Sequence, residues 1–462
     1  MSLKELFAPR DMTEGDPWRR ITEFAFPMLL GNIAQQLYNT ADSIIVGKFV
    51  GDNALAAVGS AMPILNLLLA LFVGIATGAG IVVSQSFGAR DRKGLTEAIG
   101  NCINMSFIAS LVIMVIGPLI TMPMLTLLGT PESIIYDCRD YLNIYFLGIV
   151  GFFFYNMLSG ILRGLGDSVS ALGFLLLAAA LNVVLDLLFV KEMGVAGVAL
   201  ATIISQAISA VFCYIKLARM ADIFDLGLKH MKLIPAVAGR ILKIGIPSGV
   251  TQAIMATAGM VVLNLTNAMG ETVIACNVVV MRVDGFAMMP NFTFGQAMSV
   301  YTGQNVGAGK FDRVHKGVKQ GSIIAFIFSA AITFSLLFLG KYLFALFTDT
   351  PELIDLACRM IRLMAVGYIC VSVTQVLGGV MRGAGDTVSP MWISMISTIA
   401  IRIPVAYFLA WLTRSEEFPH GKPAALFGSL MFSWAMGMVL TIIVYAAGKW
   451  KKKMHASHTE LE

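Results

Sequence analysis

Polar side chains form a stripe along the first apolar segment of this chain. Gln35, Tyr38, Asn39 and Asp42 follow one another at i, i+3, i+4 and i+7, so a helix places all four on one face. A surface that faces lipid would not tolerate these groups, whereas the interior of a helix bundle would. The stripe therefore predicts a membrane helix whose polar face lines a chamber inside a bundle.

A second carboxylate and further oxygen atoms lie on the fifth and sixth apolar segments. Asn182 and Asp186 are one helical turn apart, and Thr202 and Ser205 follow on the next segment. At about 1.5 Å per residue, Asp186, Thr202 and Asp42 lie ~8 to 14 Å from the same end of their segments. These groups are therefore predicted to meet in the outer-leaflet half of one bundle.

Two carboxylates with neutral oxygens and no neighbouring basic residue are typical of a site for a hard cation or a proton. We predict such a cation-coupling site at Asp42, Asn182, Asp186 and Thr202, which would also be the ligands of Na⁺ if Na⁺ is the coupling ion. The alternative is that each Asp only bonds neighbouring helices together, although Asn, Ser and Thr usually fill that role. The pattern predicts no cofactor and no catalytic residue.

A proline interrupts the backbone hydrogen bonds of the first segment. Pro27 lies near the start of that segment, and a proline there removes one backbone hydrogen bond and permits a bend. The residue is either a conformational element or the cause of a static kink, and the sequence favours neither.

Three further charges lie inside apolar segments of the second half. Arg282 and Asp284 are two positions apart, so they cannot face each other on a helix, and Asp284 is expected to pair with Arg402 from another segment. A structural ion pair is favoured over a role in transport.

The chain contains the same unit twice, 219 to 220 residues apart. Residues 159–172 read SGILRGLGDSVSAL and residues 378–391 read GGVMRGAGDTVSPM. Each half contains six apolar segments, an even number, so both halves enter the membrane in the same direction. This predicts an all-α membrane protein of twelve transmembrane helices in two six-helix bundles, related by a pseudo-two-fold axis along the membrane normal. The predicted parts are residues 1–220 (first lobe), 221–237 (cytoplasmic linker), 238–448 (second lobe) and 449–462 (basic cytoplasmic tail).

Composition places the chain in a bilayer. It is 57% hydrophobic and 13% charged, against about 25% charged residues in soluble domains, and apolar runs long enough to span the membrane recur throughout. Most Lys and Arg fall in the loops on one side, so both termini are predicted to be cytoplasmic in a multi-pass protein of the plasma (inner) membrane. No basic run with interleaved aromatics predicts nucleic-acid binding, and the chain is expected to be a monomer.

The repeated Arg-Gly-x-Gly-Asp loops are interpreted as structural. Their glycines can end one helix while Asp167 and Asp386 cap the next, and neither loop has the Lys and Ser/Thr of a phosphate-binding P-loop. The sequence contains no HExxH and no GxSxG motif, so no enzyme is predicted.

Taken together, these motifs resemble the multidrug and toxic compound extrusion (MATE) transporters over nearly the whole chain. The motifs that carry the resemblance, in order, are Phe26-Pro27, Asp42 with Ile45-Val46-Gly47, Ala54-Leu55-Ala56-Ala57-Val58, Gln85 with Gly88-Ala89, Arg163-Gly164 with Gly166-Asp167, Asn182 with Asp186, Gly197 with Ala201-Thr202, and Gly303-Gln304-Asn305-Val306-Gly307-Ala308-Gly309. The family is similar in exporting organic cations and other amphiphiles against a Na⁺ or H⁺ gradient by alternating access of two lobes.

The resemblance also implies roles for individual residues. Asp42, Asn182, Asp186 and Thr202 match the first-lobe cation site of the family; Gln35, Tyr38, Asn156 and Ser205 match polar positions of the adjacent chamber; and Pro27 matches the bending position. Asn39, on the same helical face, completes the predicted chamber. The positions at which some members carry a second-lobe Na⁺ site are Met255 and Val371 here. This departure places coupling in the first lobe and leaves H⁺ and Na⁺ both open.

The leading functional hypothesis is therefore an antiporter that exports amphipathic, cationic drugs or metabolites in exchange for H⁺ or Na⁺. A flippase for lipid-linked precursors from the same superfamily is the alternative, although such proteins tend to need a basic cavity and this first lobe is acidic. A membrane-embedded receptor or enzyme is a more distant alternative, because an enzyme should show intramembrane His or metal ligands.

Overall fold

The computed structural model describes residues 8–227 and 232–460. Within these residues the chain forms helices and turns only. The helices are α1 (Pro17–Phe49), α2 (Asp52–Gly88), α3 (Arg92–Leu127), α4 (Glu132–Leu147), α5 (Ile149–Gly164), α6 (Ser168–Met193), α7 (Val195–Ala218), α8 (Pro235–Ala268), α9 (Glu271–Gly307), α10 (Phe311–Ala345), α11 (Pro351–Met364), α12 (Gly367–Gly383), α13 (Val388–Ser394), a π-helix (Met395–Arg402), α14 (Ile403–Leu412), α15 (Ala424–Ala446) and α16 (Lys449–Thr459). Residues 1–7, 228–231 and 461–462, which include parts of the predicted linker and tail, lie outside the described residues.

The helices match the predicted membrane-spanning segments. In the described part of the chain, nine are long and apolar enough to cross a bilayer, and two bent pairs, α4 with α5 and α11 with α12, bring the number to eleven. Helix α1, which carries the polar stripe, is not among these eleven. The bends measure 55° and 46° and occur at corresponding places in the two halves, so the duplication is visible in helix geometry as well as in sequence.

The chain divides into two compact units. The first contains the residues through Met12 together with Phe26–Gly249, and the second contains Thr13–Ala25 and Val250–Glu460. Each unit has its own apolar core. In the first, Phe72 of α2 and Phe153 of α5 stack with ring centroids 3.7 Å apart. In the second, Tyr368 of α12 is fully buried and contacts Trp434 of α15.

Helices α2 and α8 approach closely inside the first unit. Gly74 and Gly78 of α2 face Gly245 and Gly249 of α8, and a Cβ atom added to Gly245 would lie 2.6 Å from the Cα atom of Ile75. Glycines four residues apart on each helix therefore allow the two backbones to touch, as small residues do in membrane helix pairs.

The repeated Arg-Gly-x-Gly-Asp loops cap helices, as predicted. Asp167 accepts hydrogen bonds from the Ser170 amide at 2.9 Å and the Ser170 hydroxyl at 2.7 Å, and Asp386 accepts the same two bonds from Ser389. Burial raises the pKa of the Asp167 carboxyl, while Ser170 and the Lys216 ammonium act in the opposite direction. Gly166 has φ 84°, a backbone conformation that favours glycine.

The basic tail forms a helix that docks on the second unit. Trp450 is 1% exposed and donates its indole N–H to the Tyr445 carbonyl at 3.0 Å. Lys453 reaches the buried Asp386 carboxylate at 2.9 Å. One apolar anchor and one ion pair thus hold α16 in place.

Candidate cation-binding site

Helices α1, α6 and α7 bring the four predicted coupling residues together in the first unit. Asn182 and Asp186 of α6 are both fully buried, and Thr202 of α7 is 9% exposed. The Asn182 amide donates to the Thr202 hydroxyl oxygen at 3.2 Å, and the Thr202 hydroxyl donates to the Val198 carbonyl at 3.0 Å. This chain of bonds fixes the Thr202 rotamer and turns the amide oxygen of Asn182 away from α7.

The two carboxyl groups of the site adjoin each other. Asp42 of α1 lies close enough to interact electrostatically with Asp186 and with the Tyr38 hydroxyl, and Tyr38 lies close enough to interact with Thr202. Tyr38 lies one turn before Asp42, so one face of α1 supplies both groups. The site is therefore a cluster of oxygens from three helices.

Several acceptor atoms in this cluster are buried and have no hydrogen-bond partner in the part of the chain that the structure describes. They are one carboxylate oxygen of Asp42, both carboxylate oxygens of Asp186 and the amide oxygen of Asn182. Among the described residues, no Lys or Arg nitrogen lies within 4 Å of either carboxylate. Carboxylate and carbonyl oxygens are the donor set that hard cations prefer, so the residues present fit Na⁺, and they fit a proton shared between the carboxyl groups equally well.

Two tyrosines that sequence reasoning missed complete the surroundings. Tyr141 and Tyr145 of α4 are 3% and 6% exposed, and each is close enough to interact electrostatically with Asp42. They are four residues apart and share a helical face, which is the signal that could have pointed to them. Their rings form an aromatic wall beside the acidic pair.

Of the predicted chamber residues, some bond to the cation-site cluster and others bond only within their own helix. Ser205 is buried beside Thr202 and donates to the Thr202 carbonyl at 2.9 Å. Gln35 donates to the Asn39 side chain at 3.3 Å along α1, whereas Asn156 donates to the Phe152 carbonyl of its own helix at 2.9 Å. Pro27 is half-buried within α1, which continues as a helix on both sides of it.

A family model covers both halves of the chain. The MatE model matches residues 27–188 and again residues 247–408. The chain belongs to the MatE family. The two matches are 220 residues apart, so the internal repeat is the family's own repeating unit, and the first match contains Asp42, Asn182 and Asp186.

Relatives of this MatE chain match it over nearly their whole length. It is 30% identical over 453 residues to "Probable multidrug resistance protein YpnP" of Bacillus subtilis, covering 96% of this chain and 97% of that protein. It is 27% identical over 447 residues to "Probable multidrug resistance protein YoeA" of the same organism, covering 94% and 95%. A solved outward-facing multidrug resistance MATE family transporter shares the fold with TM-score 0.86 at 22% identity, covering 97% of this chain and 98% of that one. The chain is thus a multi-pass membrane transporter of the MATE family.

In the second unit of this MatE protein, the hydrogen-bond partner of Asp284 differs from the predicted one. Asp284 accepts a hydrogen bond from the Tyr368 hydroxyl at 2.8 Å, and in the described part of the chain no Arg402 nitrogen comes within 4 Å of its carboxylate. Arg402 ends the π-helix, and Arg282 is exposed. Asp284 and Arg402 interact electrostatically, but the direct hydrogen bond to the carboxylate comes from Tyr368 of the neighbouring α12.

Proposed function

We propose that this transporter is a secondary antiporter that exports amphipathic, cationic small molecules in exchange for H⁺ or Na⁺. The observation that carries the proposal is the Asp42–Asp186 pair, in which one oxygen of Asp42 and both oxygens of Asp186 are buried without a hydrogen-bond partner among the described residues. The relatives YpnP and YoeA are named as probable multidrug resistance proteins, which supports the substrate class.

The physical basis is charge compensation. Two adjoining carboxylates in an apolar interior cannot both stay charged unless a cation accompanies them. A proton, a Na⁺ ion and the ammonium group of a drug all supply the missing positive charge, so they compete for the same oxygens. Binding of the coupling ion from one side then displaces the organic cation on that side, which links the two movements in opposite directions.

Charge compensation at the two carboxylates also suggests roles for the residues around them. We assign Asp42, Asn182, Asp186 and Thr202 to ion coupling, and the half-buried amides of Gln35 and Asn156 and the exposed Asn39 to the substrate chamber. Tyr38 and Ser205 belong to the chamber wall, since both contact Thr202.

Pro27 provides the place at which α1 can bend. A proline has no N–H, so the carbonyl of Glu23 four residues earlier receives no helix bond from it. A bend at this point would move the α1 stripe, including Asp42, relative to α6 and α7. We propose that this movement opens and closes the site during alternating access, with both termini on the cytoplasmic side of the inner membrane.

The decisive experiment measures export from proteoliposomes under separately imposed Na⁺ and pH gradients, with a cationic dye as substrate. Asp42→Asn and Asp186→Asn keep the shape of the side chain and remove its charge, so each should abolish gradient-driven dye movement. Asp355→Asn, at an exposed position of α11, is the matched control and should transport normally. If both site variants reconstitute at normal density and still concentrate the dye against a gradient, the coupling assignment is wrong.

A further inference from the structure

A cavity of about 350 Å³ lies wholly within the second unit. It is formed by α8, α9, α12, α13, the π-helix and α15, and its size falls in the range of pockets for small organic ligands. All the groups that line this cavity belong to the second unit, so ligand binding here is independent of ion coupling in the first unit.

The net charge of the cavity wall is positive. Its ionisable residues are Asp284, Arg382 and Arg402, so two positive charges face one negative charge and the sum is +1. Asp284 is already held by the Tyr368 hydroxyl at 2.8 Å. A cavity of this sign in apolar surroundings is brought to neutrality by one acidic group on a ligand.

The buried groups without partners in this wall include hydrogen-bond donors. The Nε atom of Arg402 and the hydroxyl of Ser394 are both buried and have no hydrogen-bond partner within residues 8–227 and 232–460, and both residues line the cavity. An arginine N–H can only donate, and a serine hydroxyl can donate. A carboxylate or sulfonate oxygen placed here would satisfy both groups.

Arg402 is the last residue of a π-helix, Met395–Arg402, a rare form that is frequent at functional sites. Ser394 directly precedes this π-helix, at the end of α13. Three residues of the π-helix, Ser397, Thr398 and Arg402, line the cavity. The Ser433 hydroxyl of α15 donates to the Ser397 carbonyl at 2.8 Å, which supports the irregular turn from outside. This hydrogen bond therefore fixes the π-helix that ends at Arg402 against α15.

The rest of the wall suits an apolar body. Four methionines and two aromatic residues contribute to it: Met255, Met281, Met288, Met381, Phe292 and Trp434. Methionine side chains are flexible and polarizable, so they adapt to ligands of different shape, and the aromatic rings offer flat contact surfaces.

We infer that the second-unit cavity is a binding site for an amphipathic molecule with an acidic group, whose carboxylate or sulfonate is received by Arg402 and Ser394 while its apolar part contacts the methionines and Trp434. The first-unit site, by contrast, presents acceptors and negative charge. The two halves of one chain thus offer complementary chemistry to ligands of opposite charge.

The test uses the full-length protein in lipid nanodiscs and two probes with the same fluorophore, dansylglycine, which is acidic, and dansylcadaverine, which is basic. Dansylglycine should bind saturably and should receive energy from Trp434. Loss of a hydrogen bond to a charged group weakens binding by about 10- to 100-fold, so Arg402→Gln should weaken dansylglycine binding by that factor. Dansylcadaverine should not lose affinity in that variant.

Matched variants test whether a loss of dansylglycine binding comes from the cavity or from a change of charge elsewhere in the protein. Arg282→Gln removes the same charge from an exposed position of α9 outside the cavity wall and should leave dansylglycine binding unchanged. Ser394→Ala, a smaller change that folds if Arg402→Gln does not, should weaken it by about 2- to 10-fold. Trp434→Phe should reduce energy transfer to bound dansylglycine more than Trp18→Phe, since only Trp434 lines the cavity.

Three results would overturn the inference: no saturable dansylglycine binding, unchanged affinity in both Arg402→Gln and Ser394→Ala, or an equal loss in Arg282→Gln. Asp42→Asn should bind dansylglycine normally even if it exports nothing, so failure of this site and failure of the proposed antiport give different results.

Discussion

Gly245 of α8 lies against the backbone of α2, where there is no room for a side chain. We expect Gly245→Ala to destabilise the protein, because the new methyl carbon would lie 2.6 Å from the Cα atom of Ile75 and 3.1 Å from the Gly74 carbonyl oxygen. Carbon atoms pack best about 3.5 to 4.0 Å apart, so the helices must separate by ~1 Å at this point. The neighbouring atoms belong to the backbone, so no side-chain rotation can relieve the clash.

Two energies act in opposite directions in this variant. Alanine in a helix interior is better than glycine by about 1 kcal/mol, and overpacking costs about 1 to 3 kcal/mol. Gly239 lies on the same helix with nothing within 4 Å of an added Cβ atom. Gly239→Ala therefore gains the propensity term alone, and the difference in unfolding free energy between the two variants should be about 1 to 3 kcal/mol.

The assay is thermal unfolding of the purified variants in one detergent, followed by intrinsic fluorescence and by the monodisperse fraction that survives heating. Gly239→Ala should melt at or above the wild-type temperature, and Gly245→Ala should melt below it. If both variants shift the melting temperature in the same direction by the same amount, the close backbone approach of α2 and α8 is refuted.

Three further changes test other parts of the structure. Asp167→Ala removes the α6 cap and should lower stability by about 1 kcal/mol, while the exposed Asp140→Ala should not; equal melting temperatures would contradict the capping role. Asp284→Leu should reduce folded abundance more than Asp284→Asn, because only Asn keeps an acceptor for the Tyr368 hydroxyl, and equal abundance would show that this bond contributes nothing. Trp450→Ala should release α16 and speed tryptic cleavage of the tail in membranes without changing dye export, and an unchanged cleavage rate would contradict the docking of α16.

The parts of the fold that follow from local periodicity could be predicted from the sequence. The i, i+3, i+4, i+7 spacing placed Tyr38 and Asp42 on one face, and the ~1.5 Å rise per residue put Asp186 and Thr202 at compatible depths. The shared face and the matching depths both follow from the geometry of a single helix. The repeat offset then supplied the second half of the architecture, because a duplicated sequence forms the same helices twice.

The parts that depend on packing between helices could not be predicted in this way. The sequence suggested Arg402 as the partner of Asp284, but Tyr368 makes the bond, since the choice of partner depends on which side chain the neighbouring helix presents. The facing glycines Gly74 and Gly245 raise the same difficulty. Each helix shows its small residues four apart, yet nothing in one sequence says which helix they meet.

The two halves of the chain show how one duplicated backbone can carry opposite charges. By the repeat offset, Asp42 corresponds to Val262, which is 6% exposed in the second apolar core, and Asn182 corresponds to Ile401. The second half therefore has apolar residues at positions equivalent to members of the acidic cluster in the first half. The π-helix runs through Ile401 and ends at Arg402, and its wider turn changes which side chain faces inward at this level. In the second unit that side chain is Arg402, which lines the cavity. A change of helix type at the site equivalent to Asn182 thus accounts for an arginine occupying the inward position, and we therefore expect that substitution of Ile401 alone would not create a cation site there.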